Sequence, residues 1–263
     1  MKYIIDNDLH IHTHLSSCSA DPEQNTDRLL KYAVENRLSA ICVTDHFWDS
    51  GVPGASGWYA PQNYEHILRS KPLPKAEGVR FLFGCETDLD RNLTLGIALE
   101  HFDLFDFVII PTTHMHMGGF TVRGDESAKE RSELWLRRFD AVLGMDIPFR
   151  KVGIAHLTCP LIYTAGDYLD VIDGISDSEY KDVFAKAAEC GVGIELNFDC
   201  LRLEGKNLER ELRPYFIAKD CGCKFYFGSD AHHPEAFETS VRNFTKISEC
   251  LGLSESDKFT AVR

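Results

Sequence analysis

Short apolar runs alternate with longer amphipathic segments along most of the chain, and this order is typical of repeated βα units around a parallel sheet. Seven runs of four to six residues, rich in apolar side chains, predict β-strands. These predicted strands are Tyr3–Asp8, Ala40–Thr44, Arg80–Cys85, Phe107–Pro111, Val152–Ala155, Gly193–Asn197 and Lys224–Gly228.

Helical periodicity appears between several of these strands. In the first such segment Leu29, Leu30, Ala33 and Val34 fall on one face of a helix. The predicted helices are Pro22–Asn36, Ser127–Leu143, Ser178–Glu189 and Leu208–Asp220, with Asp21-Pro22 and Asp177 as helix starts. No change in composition marks a boundary, so we expect a single domain over residues 1–263 with the length of an α/β barrel.

Composition and charge narrow the function. The chain is 44% hydrophobic and has a net charge of −13, which makes a nucleic-acid partner unlikely. No secretory signal or membrane-spanning run is visible, and nine scattered cysteines indicate free thiols, so we expect a cytoplasmic protein without a membrane partner. The sequence does not indicate an oligomeric state.

Histidines and carboxylates concentrate just beyond the predicted strands. Nine of the eleven histidines have this position, and five carboxylates share it. The histidines are His10, His12, His14, His46, His114, His116, His156, His232 and His233, and the carboxylates are Asp8, Asp45, Glu86, Glu195 and Asp230. Because the carboxyl ends of parallel strands meet on one face, these side chains predict a metal site there.

Two local motifs carry most of this prediction. His10 and His12 are separated by one residue, so both imidazoles of an extended chain reach the same cation. Asp230 and His232 repeat the spacing after the last strand. An isolated pair of this kind is also compatible with two partly exposed polar residues, and it is the number of matching strand ends that favours metal.

The remaining strand ends supply further ligands and supporting groups. His46, His114 and His156 are candidate ligands. Asp45 is expected to orient a neighbouring imidazole without binding the cation itself, and Asp8 is expected to support the site in the same indirect way. Glu86 has two oxygens and is the candidate bridge between adjacent cations.

This set of donors determines the expected chemistry. Imidazole nitrogen and carboxylate oxygen suit Zn²⁺, Mn²⁺ or Fe²⁺ better than Ca²⁺, with Mg²⁺ less favoured. Adjacent cations activate water for attack on phosphorus or carbon, so we expect a hydrolase that uses a metal-bound water beside Glu86, Asp230 and His232. Arg123, on the glycine-rich loop after His114, is the candidate contact for a substrate phosphate.

The motifs together resemble the PHP (polymerase and histidinol phosphatase) family of metal-dependent phosphoesterases. The matching pieces are Asp8-Leu9-His10-Ile11-His12-Thr13, Thr44-Asp45-His46, His156 and Gly228-Ser229-Asp230-Ala231-His232, with Glu86 and His114 in the expected order. The resemblance implies a distorted seven-stranded (β/α) barrel with a trinuclear site at the C-terminal ends of its strands.

Residue by residue, the resemblance implies three metal positions. His10, His12, Glu86 and Asp230 would surround one cation. Glu86, His114 and His156 would hold the second, and His46 and His232 would contribute to the third.

Cys18 stands where histidinol phosphatases place a histidine of the third metal position. Three alternatives follow: Cys18 binds as a thiolate, Asp21 replaces it, or the site holds two cations or a weakly bound third. The stretch Pro111–Met117 also departs from the sequence that those enzymes carry around His114. The resemblance therefore does not identify the leaving alcohol.

We expect hydrolysis of a small phosphomonoester, such as histidinol phosphate or another phosphorylated metabolite. The alternatives are an exonuclease or nucleotide phosphodiesterase of the same family, a barrel of the amidohydrolase type, and a regulatory barrel that binds metal without catalysis.

Overall fold

The computed structural model describes residues 1–197 and 207–261. Its strands are β1 (Asn7–Ile11), β2 (Ala40–Val43), β3 (His46–Phe47), β4 (Arg80–Thr87), β5 (Phe107–Ile110), β6 (Val152–Ile154), β7 (Gly193–Asn197) and β8 (Lys224–Gly228). All pair in parallel, in the order β1-β2-β4-β5-β6-β7-β8, and the two-residue β3 pairs with β4 alone.

The first and last strands also meet. The amide of Asp230 donates to the His10 carbonyl at 2.8 Å, and the amide of His12 donates to the Ala231 carbonyl at 3.1 Å. These bonds bring the ends of the sheet together into a nearly closed parallel barrel of seven strands. The predicted distorted (β/α) barrel is thereby confirmed.

The described part of the chain contains seven α-helices, of which the first six lie between strands and α7 follows β8. They are α1 (Thr26–Glu35), α2 (Tyr64–Ile67), α3 (Ala128–Leu143), α4 (Tyr168–Asp173), α5 (Asp177–Cys190), α6 (Leu208–Asp220) and α7 (Ser240–Cys250). Capping boxes at Ser127 and Ser176 begin α3 and α5, each with a glutamate that bonds back to the cap.

The alternation of strand side chains separates an outer core from an inner one. Phe83 belongs to the large cluster between sheet and helices, while its neighbour Leu82 belongs to a smaller cluster with Phe107 and Tyr226. Glu86 lies four residues after Leu82 on the same strand and therefore shares its face. The apolar inner cluster thus fills the barrel below the ring of polar side chains.

The first predicted strand was wrong in its limits, because β1 begins at Asn7 and continues through His10 to Ile11. The apolar run before it packs against another strand instead: the Tyr3 ring lies 5.2 Å from that of Phe227, and its hydroxyl donates to the Phe225 carbonyl. The prediction therefore shares only Asn7 and Asp8 with the strand, which continues through the buried residues Leu9, His10 and Ile11.

The first helix also begins later than predicted, at Thr26 after the cap Asn25, and not at Pro22. Gln24 accounts for the difference. Its side-chain amide donates to the carbonyls of His12 and Ala231, which holds this segment against the barrel and outside a helix.

Four elements were not predicted from the sequence: α2, α4, α7 and β3. Among the described residues, no disulfide joins the cysteines. Within the same ranges, no helix combines the length and apolar character that a membrane span requires.

Candidate metal centre

The eight residues expected to bind metal converge on one end of the barrel. Their donor atoms form three overlapping groups, in each of which the atoms lie within 4.8 Å of one another. The groups are His10-His12-Glu86, Glu86-His114-His156 and His12-His46-His232. Asp230 joins the first group, since its Oδ1 lies 3.1 Å from His12 Nε2 and 3.4 Å from His10 Nε2.

Glu86 stands between two of these groups, with one carboxylate oxygen toward each. Its Oε2 lies 3.0 Å from His46 Nδ1 and 3.3 Å from His12 Nε2. Its Oε1 faces the other way, 3.7 Å from His156 Nε2 and 3.9 Å from His114 Nε2. Because β4 runs past Cys85 to Thr87, Glu86 is part of the strand and its position is fixed by the sheet.

The imidazoles of His10, on β1, and of His12, just after it, are held by partners at their other ring nitrogens. His10 Nδ1 lies 2.6 Å from Glu195 Oε1, and His12 Nδ1 lies 2.9 Å from Ser16 Oγ. Ser16 in turn donates to Asp45. Each contact directs the Nε2 atom of its histidine into the His10-His12-Glu86 group, as supporting contacts do in metal sites.

His114 and His156, the histidines of the second group, are held in the same manner. His114 Nδ1 lies 3.0 Å from Asp88 Oδ2, and His156 Nδ1 lies 2.6 Å from Thr113 Oγ1. His156 has a φ of 25° and Asp230 a φ of 52°, a region that residues other than glycine seldom occupy. Backbone strain of this kind is concentrated at functional sites.

Cys18 lies at the edge of the cluster, and Asp21 does not reach it. The Cys18 sulfur is 3.0 Å from His232 Nε2. The Asp21 carboxylate accepts instead from the amide of Glu23 within its own turn, and His14 Nδ1 contacts the carbonyl of Gln24. Of the replacements considered for the third metal position, only Cys18 is brought close to the cluster.

The two expected supporting carboxylates act on backbone and hydroxyl groups rather than directly on imidazoles. Asp45 accepts from the amide and hydroxyl of Thr13 and from Ser16. Asp8 accepts from the amide of Ser229 at 2.9 Å and from the Tyr32 hydroxyl at 3.1 Å. Both therefore fix the chain around the cluster.

Four residues with direct supporting contacts were missed as site residues: Glu195, Asp88, Ser16 and Thr113. Glu195 had a visible signal, since it is a carboxylate on the predicted strand Gly193–Asn197 and was named there without a role, whereas Ser16 and Thr113 had none.

Arg123, the expected phosphate contact, lies elsewhere. Its guanidinium is exposed and pairs with Asp125 and Glu130, each at 3.0 Å. It does not line the pocket in front of the cluster.

The imidazoles and carboxylates of the cluster shift one another's pKa. Burial acts to lower the pKa of His12, but hydrogen bonds to Asp230 and Glu86 outweigh it and raise this pKa to about 9. Burial acts to raise the pKa of Glu86, but the imidazoles of His46 and His10 hold it well below its usual range. Imidazolium protons thus compensate the carboxylates, and cations that bind here would displace those protons.

The residues fit divalent cations. Glu86 Oε1 is buried without a hydrogen-bond partner, and it points into the cluster, 3.7 Å from His156 Nε2 and 3.9 Å from His114 Nε2. A buried polar atom of this kind requires a partner, and imidazole nitrogen with carboxylate oxygen is the donor set of Zn²⁺, Mn²⁺ and Fe²⁺ sites.

A pocket of 490 Å³ opens in front of the cluster. Its floor includes Glu86, Asp230 and His232, so a small molecule in the pocket reaches the candidate ligands directly. This volume lies within the range of about 300–1,000 Å³ that is typical of small-molecule sites.

The barrel and its buried cluster of imidazoles and carboxylates define a metal-dependent hydrolase. The PHP domain model matches residues 8–198, which is most of the chain. The chain belongs to the PHP family.

Solved structures resemble the fold at low identity. Histidinol phosphate phosphatase from Lactococcus lactis subsp. lactis, complexed with zinc, L-histidinol and phosphate, is 17% identical, with a TM-score of 0.60 over 97% of this chain and 98% of that one. A probable 2-pyrone-4,6-dicarboxylic acid hydrolase from Acinetobacter baumannii is 15% identical, with a TM-score of 0.45 over 96% and 97% of the chains. No curated protein matches significantly.

Proposed function

We propose that the protein hydrolyses small phosphomonoesters with two or three divalent cations. The cations are Zn²⁺, Mn²⁺ or Fe²⁺, and their ligands are His10, His12, His46, Glu86, His114, His156, Asp230 and His232. One observation carries this proposal: the two oxygens of Glu86 face separate groups of imidazoles, with Oε2 3.3 Å from His12 and Oε1 3.7 Å from His156. A carboxylate placed in this way would be shared by two neighbouring cations, which would supply the chemistry of a two-metal site.

Cations in this arrangement supply Lewis-acid chemistry, in that they polarise a phosphoryl group and acidify water. Asp230 lines the pocket with 20% of its side chain exposed. Burial acts to raise its pKa, but His10 and His12 hold it far below the usual range, so the carboxylate is ionised and its Oδ1 would hold a cation and orient the attacking water rather than take its proton. His232 lines the same pocket and would hold a cation there together with His12 and His46.

A small monoester suits the shape of the site. The pocket is concave and has the volume of a small-molecule site, whereas a nucleic-acid strand needs a longer groove with basic residues. The phosphatase from L. lactis, which has the same fold, binds zinc, L-histidinol and phosphate. These points support a monoesterase over the phosphodiesterase alternative and do not identify the alcohol.

The test is release of inorganic phosphate from a panel of phosphomonoesters by protein loaded with Zn²⁺, Mn²⁺ or Fe²⁺, before and after exhaustive chelation. We expect activity that chelation abolishes and metal restores. His46→Ala should remove activity, and His101→Ala is its control because His101 is an exposed histidine outside the cluster. Full turnover after removal of all metal would contradict the proposal.

A further inference from the structure

Apart from the candidate ligands, the lining of the pocket is mainly apolar. Trp58, Tyr59, Met117 and Leu161 line it, and we refer to these four residues as the apolar wall. They come from three separate loops, beyond β3, β5 and β6. A substrate whose phosphate lies at the cluster must place its leaving group along this wall.

The base of the apolar wall is rigidly packed. Tyr59 is fully buried, and its hydroxyl donates to Asp88 Oδ2 at 3.2 Å. Its ring lies 5.7 Å from that of Trp48 and 5.6 Å from that of Phe120. This support means that the wall keeps its shape when it is empty, which lowers the entropic cost of binding a ligand.

Trp58 is the accessible part of the apolar wall. It is 37% exposed, and its ring lies 4.7 Å from Tyr59 and 4.9 Å from His46, at steep angles of 88° and 69°. The indole therefore spans the distance from the packed base to the candidate metal ligands. Aromatic pairs in such arrangements gain affinity beyond simple burial.

Few charged residues lie near the apolar wall. Among the described residues that line the pocket, none is a lysine or arginine, and the carboxylates are Glu86 and Asp230, both in the cluster. A leaving group with its own charge would lose hydration there without gaining a counter-charge, which disfavours its binding.

We infer that the preferred substrates are monophosphate esters of uncharged aromatic or apolar alcohols, and that Trp58 is a specificity-determining residue. This inference rests on the proposed phosphatase function and adds the chemical class of the leaving group. The inferred preference distinguishes the esters of aromatic or apolar alcohols from the phosphate esters of amino alcohols and polyols, which also carry a single phosphate.

The test compares three esters of primary alcohols, so that leaving-group reactivity is similar: 2-phenylethyl phosphate, phosphoethanolamine and glycerol 1-phosphate. We expect kcat/KM to be highest for 2-phenylethyl phosphate. Trp58→Ala should reduce the ratio of kcat/KM for this ester to that for phosphoethanolamine about tenfold, mainly through KM. Trp58→Phe should retain most of the preference.

Phe216→Ala is the matched control, because Phe216 is an aromatic residue of similar exposure, 42%, on α6 and outside the pocket. It should leave the ratio at its original value. A direct binding measurement accompanies the kinetics: 2-phenylethyl phosphonate, which is not hydrolysed, should quench tryptophan fluorescence in the metal-loaded protein, and Trp58→Phe should remove the quenching.

The outcomes separate the two proposals. Phosphate release from the panel with no preference for the aromatic ester, or with a preference that Trp58→Ala leaves intact, overturns the specificity inference alone. Absence of phosphate release from every ester overturns the proposed function and, with it, the inference.

Discussion

Arg138 and Asp88 form a fully buried ion pair, with Arg138 Nη2 3.0 Å from Asp88 Oδ1. The second oxygen of Asp88 lies 3.0 Å from His114 Nδ1. Arg138 also donates to the carbonyls of Thr112 and Leu89, which belong to the loops beyond β5 and β4. One arginine on α3 thus ties two loops of the barrel to a candidate metal ligand.

The first prediction concerns this pair. Arg138→Met should lower the free energy of unfolding by about 3–5 kcal/mol, because the Asp88 carboxylate would remain buried without its counter-charge. Urea denaturation of the metal-loaded protein measures the change. Arg123→Met is the control, since Arg123 forms exposed ion pairs, and it should change stability far less. Equal effects of the two substitutions would contradict the role assigned to Arg138.

The sequence predicted the barrel because apolar strands and amphipathic helices follow regular periods. The limits of β1 were wrong. The prediction Tyr3–Asp8 stops at Asp8, whereas the strand continues to Ile11, because the polar residues Asp8 and His10 interrupt the apolar run that would have extended the prediction. The two residues of β3 were missed for a different reason, since a strand that short has no measurable period, and pairing with β4 alone defines it.

The candidate ligands could be predicted because strand ends converge in any parallel barrel. The residues that hold them could not, because their contacts join distant parts of the chain. Ser16 reaches His12 from a turn, and Thr113 reaches His156 from another loop. The position of Arg123 in the sequence made it a reasonable candidate. In the structure it donates to the carboxylates of Asp125 and Glu130 on the surface, and the sequence alone does not show these contacts.

The second prediction tests the support of His10 by Glu195. Glu195→Gln should weaken metal binding about 10–100-fold, because an amide accepts a weaker bond from the imidazole and orients it less firmly. Competition with a chelating dye measures the affinity. Asp49→Asn is the matched control, since Asp49 accepts from His101 outside the cluster. If both variants bind metal as the original protein does, Glu195 has no such role.

The third prediction concerns Gly228, which ends β8 just before Asp230. A Cβ at this position would lie 1.9 Å from Glu195 Oε1 and 2.6 Å from the Cβ of His10. Gly228→Ala should therefore displace the Glu195 carboxylate, weaken metal binding and destabilise the fold by about 1–3 kcal/mol. Thermal unfolding and metal titration measure the two effects.

Gly144→Ala provides the comparison for this substitution. Gly144 caps α3 with a φ of −82°, and a Cβ there meets nothing closer than 3.5 Å. It should leave metal binding at its original value. Metal binding by Gly228→Ala that matches Gly144→Ala would show that Gly228 is not required for the packing of the cluster.

The fourth prediction tests the bridging role of Glu86. Glu86→Ala should remove more than one metal ion per chain, because its two oxygens serve two groups of ligands. His232→Ala should remove at most one, since His232 belongs to a single group. Elemental analysis of the purified variants gives the metal content. Full occupancy in Glu86→Ala would rule out a bridge.

The last prediction concerns Cys18, whose sulfur lies 3.0 Å from His232 Nε2. Cys18 is exposed as a residue, but desolvation of its sulfur beside the cluster, followed by the charges of Glu86 and Asp230, raises the pKa of the thiol to about 12, so without cations it is a neutral partner of the imidazole. A serine hydroxyl can make the same contact. We therefore expect Cys18→Ser to retain nearly all metal and turnover.

The identity of the metal makes this test decisive. A thiolate ligand would favour a soft ion, so its loss would remove about one ion per chain from zinc-loaded protein and have little effect with manganese. Cys18→Ser is therefore prepared with each metal in turn, and elemental analysis and phosphate release are measured on the same samples. A selective loss of zinc would assign Cys18 to the third metal position. Equal retention of both metals would leave His12, His46 and His232 to hold that position without sulfur.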